Sequence, residues 1–234
     1  MSKDSREAAE SGAAAALRMA RLNVTKSKLL QEDIMNGKFF DLKKEKQDRM
    51  INAAIKVFGM QGYRHASTDE IVKEADISKG LLFHYFGSKL GLYTFVYDYS
   101  VRFMTLELKA CINPLTTELF ELMKQMEQGK MHAMRAYPYM QQFLNRAMTE
   151  DVSEVLLAVE EKRNLWLDSC ARWYSQIDMS GLPQGVDGPR LYKMMELTIK
   201  GLMIEKFEDH SFQPEMLYNE ICSYLNMMKR IVYR

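Results

Sequence analysis

Cysteine, tryptophan and proline are all scarce in this chain of 234 residues, which has three, two and five of them respectively. Cys111, Cys170 and Cys222 lie far apart and form no C-x-x-C pair or Cys/His cluster. This pattern excludes a disulfide scaffold and a zinc finger, and we expect buried, reduced thiols. No apolar run approaches the ~20 residues of a membrane span. The N-terminus also lacks the continuous apolar region of a secretion signal. We therefore expect a soluble cytoplasmic protein that makes no membrane contact.

Groups that would carry catalysis or hold a cofactor are also missing from the sequence. It contains no glycine-rich phosphate loop, and His132 and His210 lack neighbours at metal-ligand spacing. Without a clustered set of titratable residues, an enzyme is not expected, and neither is a metal or a cofactor.

Helical periodicity fills most of the chain. Hydrophobic residues make up 47% and charged residues 27%, as in an ordinary globular protein. No run has the alternating period of a strand, so the predicted class is all-α. The predicted helices, apart from those at 67–93, span residues 43–61, 88–112, 115–128, 139–148, 152–176, 189–208 and 214–233.

Residues 67–75 have the pattern of a short helix that ends in a tight turn. Ser67 and Glu70 have the spacing of a capping box, in which each side chain binds a backbone N–H at the helix start. The helix is therefore expected to begin at Thr68. Only Asp76 and Ile77 separate it from the next helical segment, so the connection is predicted to be a tight turn.

Two further helix starts follow closely. Ser78 is a good N-cap for a second short helix, and Gly87 ends that helix. Ser88 caps a third helix, which carries Lys89 in its first turn. Because helix starts present unpaired N–H groups and positive dipole ends, three of them together predict a surface that holds phosphates.

The residues of this stretch follow the order found in a known family. They are Ile71-x-x-x-Ala75, Ile77-Ser78-Lys79-Gly80, Phe83-His84-Tyr85-Phe86 and Ser88-Lys89. In this order they resemble the TetR family of bacterial transcriptional regulators, and the resemblance covers residues 43–93. It implies an N-terminal three-helix helix-turn-helix DNA-binding domain, joined to a C-terminal helical bundle that binds a ligand and dimerises.

Three positions depart from the family pattern. Asp76 stands where the family usually has glycine, and Asp tolerates a positive φ at a cost of about 1 kcal/mol. Phe83 replaces a frequent tyrosine and has no hydroxyl for a phosphate. Leu81 replaces a small hydroxylated residue, so its base contact would be apolar, as with a thymine methyl.

The helix starts and the resemblance together place the contacts to double-stranded DNA. Phosphate contacts are expected from side chains at the helix starts and the end of the second helix, and base contacts from the first turns of that helix. The predicted DNA-binding residues are Thr68, Ser78, Lys79, Gly80, Leu81, Phe83, His84, Tyr85 and Lys89.

We divide the chain into residues 1–40, an N-terminal extension; 41–93, the DNA-binding domain; and 94–234, the ligand-binding and dimerisation domain. The extension is predicted to be a mobile tail or the product of a misplaced start codon, because Met19 and Met35 are further possible initiators. The alternative is a basic arm that reaches DNA beside the main contact. That arm would consist of Arg18, Arg21, Lys26 and Lys28.

The helix at 189–208 has apolar residues on more than one side, which predicts contacts with its own core and with a second subunit. Gly201 would allow a close approach between helices. The predicted interface of a homodimer comprises Leu197, Gly201, Ile204, Ile221 and Leu225. The alternative is an intramolecular bundle without a partner.

Two further apolar faces suggest a ligand pocket. Trp166 and Trp173 are seven residues apart on one helix face, and Met140, Phe143 and Leu144 share a face of a neighbouring segment. The alternative is a plain core, and the existence of an inducer cavity is implied only by the family resemblance.

Together these patterns predict a homodimeric repressor of a palindromic operator, released by a small apolar or aromatic molecule. The alternative is a helical small-molecule carrier or interaction protein without activity in DNA regulation.

Overall fold

The computed structural model describes residues 37–208 and 212–234, and no strand occurs in this part of the chain. In chain order the helices are α1 (Gly37–Phe40), α2 (Lys44–His65), α3 (Thr68–Ala75), α4 (Lys79–Phe86), α5 (Lys89–Cys111), α6 (Leu119–Ala136), α7 (Met140–Ala147), α8 (Ser153–Tyr174), α9 (Gly188–Glu208) and α10 (Pro214–Val232). The prediction of an all-α protein is confirmed. The proposed basic arm and His210 lie outside the described residues.

Helix α1 belongs to the folded part of the chain, although the sequence placed it in the N-terminal extension. Phe39 is fully buried, and its ring lies 5.3 Å from that of Phe86 and 5.0 Å from that of Phe95. Aromatic contacts of this kind bury a large apolar area. This phenylalanine therefore anchors the start of the described chain to helices α4 and α5.

Helix α2 packs against the predicted helix-turn-helix, and it runs longer than its sequence pattern suggested. Gly62 has φ 71° and ψ 173°, a backbone conformation that is essentially open only to glycine, and the regular helix is interrupted there. The chain then forms one more turn, which ends at His65. That extra turn carries Tyr63 and Arg64, both of which contact the C-terminal half of the molecule.

The predicted helix at 115–128 has different bounds in the structure, where α6 spans Leu119–Ala136. Its start is set by Glu118, whose carboxylate accepts hydrogen bonds from the N–H groups of Phe120 and Glu121. Gly129 does not end the helix. A Cβ at this position would lie 2.9 Å from the Leu108 Cα, so the glycine allows α6 to rest on the backbone of α5.

The helices enclose two hydrophobic cores. The first joins α1–α4 to the long helix α5 and to α7 and α8, so the side chains beneath the helix-turn-helix are continuous with those of the C-terminal half. The second lies between α6, α9 and α10, around residues such as Phe120, Met195 and Leu225. Helix α5 therefore connects the helix-turn-helix to the C-terminal half.

The described residues include no helix that is both long and apolar enough to cross a membrane. They also include no group of three or more His, Cys, Asp or Glu side chains arranged to hold a metal ion.

Candidate nucleic-acid interface

Each of the three predicted helix starts is capped by its serine. The Ser67 Oγ accepts a hydrogen bond from the N–H of Asp69 at 3.2 Å. Ser78 and Ser88 do the same for Leu81 and Gly91, at 3.2 and 3.0 Å. Such caps satisfy one of the unpaired N–H groups at each start and fix where the helix begins.

The capping box predicted at the start of α3 is only half formed. Ser67 caps the helix, but its oxygen binds the N–H of Asp69 instead of that of Glu70. The Glu70 carboxylate accepts a hydrogen bond from Gln61 Nε2 at 2.6 Å. This side chain therefore links α3 to α2, a contact between distant residues that the local spacing did not indicate.

The turn between α3 and α4 depends on Asp76, which adopts the left-handed conformation with φ 52° and ψ 57°. Its N–H donates to the carbonyl groups of Lys73 and Val72, which closes the end of α3. An aspartate tolerates this region where most side chains would not. The expectation that the turn survives without glycine is confirmed.

Helix α4 lies with one face on the core and the other toward solvent. Leu82 and Phe86 are buried, with 1% and 8% of their surface exposed, and they belong to the core that contains α2. The residues predicted to contact DNA lie on the remaining surface. Ser78, Lys79, Gly80 and His84 are exposed, and Thr68, Leu81, Phe83, Tyr85 and Lys89 are partly exposed.

Two lysines stand at the first residues of α4 and α5, and both are held by neighbours. The Lys79 Nζ lies 2.8 Å from the Asp69 carboxylate, which ties the start of α4 to the start of α3. The Lys89 Nζ lies 4.6 Å from the centre of the Tyr63 ring and donates to the Arg64 carbonyl at 3.4 Å. Both ammonium groups are therefore positioned beside helix starts, on the surface predicted to contact DNA.

Acidic side chains at and just before the start of α8 hold the end of α2, a contact that no sequence pattern indicated. The Tyr63 N–H donates to Glu150 at 3.0 Å, and the Tyr63 hydroxyl donates to Glu154 at 3.0 Å. Arg64 pairs with Asp151 at 3.3 Å. We call Glu150, Asp151 and Glu154 the acidic joint.

The carboxylates of the acidic joint contribute to the pKa shifts of Tyr63 and Lys89. Burial, followed by the Glu154 hydrogen bond, raises the pKa of Tyr63 to about 12. Burial lowers the pKa of the Lys89 ammonium, and the charges of Glu150 and Glu154 oppose that change. Lys89, which is predicted to contact phosphate, therefore interacts electrostatically with carboxylates of the C-terminal half.

A second link between the halves is a chain of hydroxyl groups. The Tyr99 and Tyr137 oxygens are 2.6 Å apart, and Tyr137 donates to the Asp48 carboxylate at 2.7 Å. Burial is the main cause that raises the pKa of both tyrosines. Because Tyr137 donates to Asp48, Tyr99 donates to Tyr137, and the chain joins α2, α5 and the end of α6.

The five residues predicted to line a ligand pocket lie in the first core, each with 9% or less of its surface exposed. Trp166 and Trp173 contact each other edge to face at 6.3 Å. Phe143 lies beside Met140 and Leu144 on the buried face of α7, and its ring is 5.4 Å from that of Tyr93 in α5.

The residues predicted to form a dimer interface separate into two groups. Leu197 and Ile204 have 59% and 46% of their surface exposed, and Gly201 is also exposed. Ile221 and Leu225 are 2% and 1% exposed and lie in the chain's own second core. The exposed apolar face of α10 is instead formed by Tyr224, Met227 and Ile231.

The short helices α3 and α4, the tight turn at Asp76 and the exposed face of α4 define a helix-turn-helix protein. Residues 50–94 match the family model described as bacterial regulatory proteins, tetR family. This match shows a DNA-binding domain of the tetR family of bacterial regulatory proteins at residues 50–94.

One curated relative is the uncharacterized HTH-type transcriptional regulator YuxN of Bacillus subtilis (strain 168). It is 42% identical over 59 residues, which cover 24% of this chain and 20% of the relative. The match therefore spans about a fifth of the length of that protein.

Solved structures share the fold over a larger part of the chain. A TetR family transcriptional regulator from Chloroflexus aurantiacus J-10-FL matches with a TM-score of 0.53 and 20% identity, covering 84% of this chain and 92% of its own. The fatty acid degradation regulator FadR from Bacillus halodurans matches with a TM-score of 0.53 and 18% identity, covering 76% and 96%.

Proposed function

We propose that the protein is a cytoplasmic, homodimeric repressor that binds a palindromic operator in double-stranded DNA and leaves it when a small, largely apolar or aromatic inducer binds. Residues 41–93 would read the DNA, and residues 94–234 would bind the inducer and dimerise. The observation that carries this proposal is the set of three serine-capped helix starts at Ser67, Ser78 and Ser88. Such starts hold phosphates through backbone N–H groups and dipole ends.

In this proposal the DNA contacts divide into two kinds. Thr68, His84, Tyr85 and Lys89 contact phosphates and fix the position of the protein on the duplex. Lys79, Gly80, Leu81 and Phe83 face base edges in the major groove, where Leu81 offers an apolar contact to a thymine methyl. The exposed face of α4 supports this division, because it is the face turned away from Leu82 and Phe86.

Dimerisation would use the exposed apolar faces of α9 and α10. On α9, Met194, Leu197 and Ile204 flank Gly201 at spacings that place all four on one side of the helix. Exposed apolar patches on a soluble protein mark contact surfaces. Two copies related by a two-fold axis would place their α4 helices in half-sites about 34 Å apart.

Release from DNA would follow from contacts between the halves. Helix α5, the acidic joint and the Tyr99–Tyr137–Asp48 chain all connect the helix-turn-helix to the C-terminal half. An inducer that prefers one arrangement of these contacts would change the separation of the two α4 helices. Typical coupling would lower operator affinity by roughly 5- to 150-fold.

The position of Lys89 predicts a specific effect of its removal. Lys89→Ala should weaken binding to all duplexes alike, because it removes a sequence-independent phosphate contact. The plot of log affinity against log salt should become flatter by about one unit. Fluorescence anisotropy with labelled duplexes over a salt series measures both quantities.

Two variants serve as controls for that experiment. Lys73→Ala removes the same charge from the exposed last turn of α3, and Leu81→Ala alters the proposed base contact without changing charge. Both should keep the wild-type salt slope. If Lys89→Ala also kept the wild-type affinity and slope, this docking of the helix-turn-helix would be wrong.

A further inference from the structure

A cavity of about 270 Å³ lies between α6, α7, α9 and α10. It is near the small end of the size range of protein ligand sites, about 300 to 1,000 Å³. None of the five residues that the sequence predicted as ligand-binding lines it. The lining of the cavity has an apolar part, a polar part and a charged part. Each part indicates one chemical group of the ligand that would bind there.

The apolar part of the cavity consists mainly of methionine side chains. Met123, Met126, Met134 and Met203 line it together with Leu217 and Ile221. Thioethers are polarisable and adapt to the shape of what they contact, and they interact favourably with aromatic rings. This wall therefore suits a small aromatic ring.

One buried polar atom in the wall of the cavity lacks a hydrogen-bond partner among the described residues. The Gln141 Nε2 donates to Asn145 at 2.9 Å, but the Gln141 Oε1 is buried and has no hydrogen-bond partner among the described residues. Both residues line the cavity. A buried acceptor without a donor is costly, so the occupant should bring a hydroxyl or N–H group to this oxygen.

The charges around the cavity do not balance. Glu127, with 3% of its surface exposed, pairs with Lys130 at 2.6 Å, and Glu196 pairs with Lys193 at 3.1 Å. Lys200 also lines the cavity and has no carboxylate within ion-pair distance among the residues that the structure describes. One positive charge is therefore left for an anionic group of the occupant.

We propose that this cavity binds a small hydroxylated aromatic carboxylate, with its ring on the methionines, its hydroxyl on Gln141 and its carboxylate beside Lys200. The inference rests on the proposed function, because it names the chemical class of the inducer and the place where it binds.

The cavity is placed to influence the connecting helix. Glu127 and Lys130 line it from α6, and Gly129 lies between them on the same helix. A Cβ at Gly129 would meet the Leu108 backbone of α5 at 2.9 Å, so the two helices are in direct contact there. A shift of this part of α6 on ligand binding would therefore be transmitted to α5, because packed helices move as units.

Calorimetric titration of the full chain with the three isomers of hydroxybenzoate tests the proposal. Benzoate lacks the hydroxyl, and the matching hydroxybenzamides lack the charge. Against the best isomer, benzoate should bind about tenfold more weakly because the Gln141 acceptor stays unpaired. The hydroxybenzamide should bind about fivefold more weakly, as expected for loss of a partly exposed ion pair.

Substitutions test whether Gln141 and Lys200 cause these two losses of binding affinity. Gln141→Leu should weaken hydroxybenzoate and leave benzoate unchanged, while Lys200→Gln should weaken hydroxybenzoate and leave hydroxybenzamide unchanged. Lys73→Gln, a charge control on α3, should change neither. Absence of binding by all three isomers, or equal effects of each variant on all compounds, would overturn the proposal.

Failure of this inference and failure of the proposed function give different results. The titrations contain no DNA, and binding to duplex DNA is measured without any benzoate. A protein that binds an operator but none of the isomers refutes the ligand class alone. A protein that binds hydroxybenzoate as described but no DNA refutes the proposed function and leaves the cavity assignment standing.

Discussion

Gly201→Arg is expected to convert the protein into a folded monomer whose affinity for its operator is lower by at least about 100-fold. A Cβ at Gly201 meets no atom within 4 Å, so the chain itself has room for the substitution. In a dimer that uses this face, the added side chain would be an unpaired charge between two helices, which costs several kcal/mol. A monomer also loses the gain from binding two linked half-sites, roughly 10²- to 10⁴-fold.

Analytical ultracentrifugation and duplex binding measure the two parts of this result. Leu157→Arg is the matched control, because it introduces the same charge at a side chain on α8 that is 74% exposed and outside the proposed face. It should remain a dimer and retain operator affinity. Sedimentation of Gly201→Arg as a dimer with unchanged operator affinity would show that this face of α9 is not the interface.

Phe143→Ala is expected to lower the free energy of unfolding by about 3 to 5 kcal/mol, as for large buried aromatic residues elsewhere. Phe143 is fully buried, and its ring lies 5.4 Å from that of Tyr93, 6.3 Å from that of Phe58 and 6.4 Å from that of Tyr97. The side chain thus joins α7 to both α2 and α5. Its loss should destabilise the DNA-reading half together with the C-terminal half.

Urea unfolding followed by circular dichroism measures this cost. Leu157→Ala is the control, since substitution of an exposed side chain usually changes stability by no more than about 0.5 kcal/mol. A cost below about 1 kcal/mol for Phe143→Ala would contradict its assignment to a tightly packed core. It would instead indicate that Phe143 borders space that a ligand could fill.

The helix-turn-helix could be predicted from the sequence because its determinants are local. Ser67, Ser78 and Ser88 each cap a helix within three residues of themselves, and Asp76 and Gly87 each end one. These rules depend on the immediate backbone, so a single sequence contains them.

Contacts between distant residues could not be predicted in the same way. Tyr63 binds Glu150 and Glu154, which lie 87 and 91 residues further along the chain. No periodicity marks such a pair. For the same reason, nothing in the sequence pattern indicated that Gly129 is a point of close approach between α5 and α6.

The last helix shows a different limit. Ile221 and Leu225 were predicted to lie in the dimer interface, but a second apolar face of the helix runs through Tyr224, Met227 and Ile231. When both sides of a helix are apolar, periodicity gives no means to decide which one faces the chain's own core. The structure shows Ile221 and Leu225 on the inner side.

The measurement that tests the central proposal most directly is selection of binding sites by the full chain from a pool of random duplex DNA. A dimeric reader should enrich a palindrome whose two half-sites are centred about 34 Å apart, with affinity that falls steeply as salt increases. The proposal of a homodimer with a helix-turn-helix in each copy predicts this outcome. Recovery of no common sequence, or of a single half-site without symmetry, would contradict it.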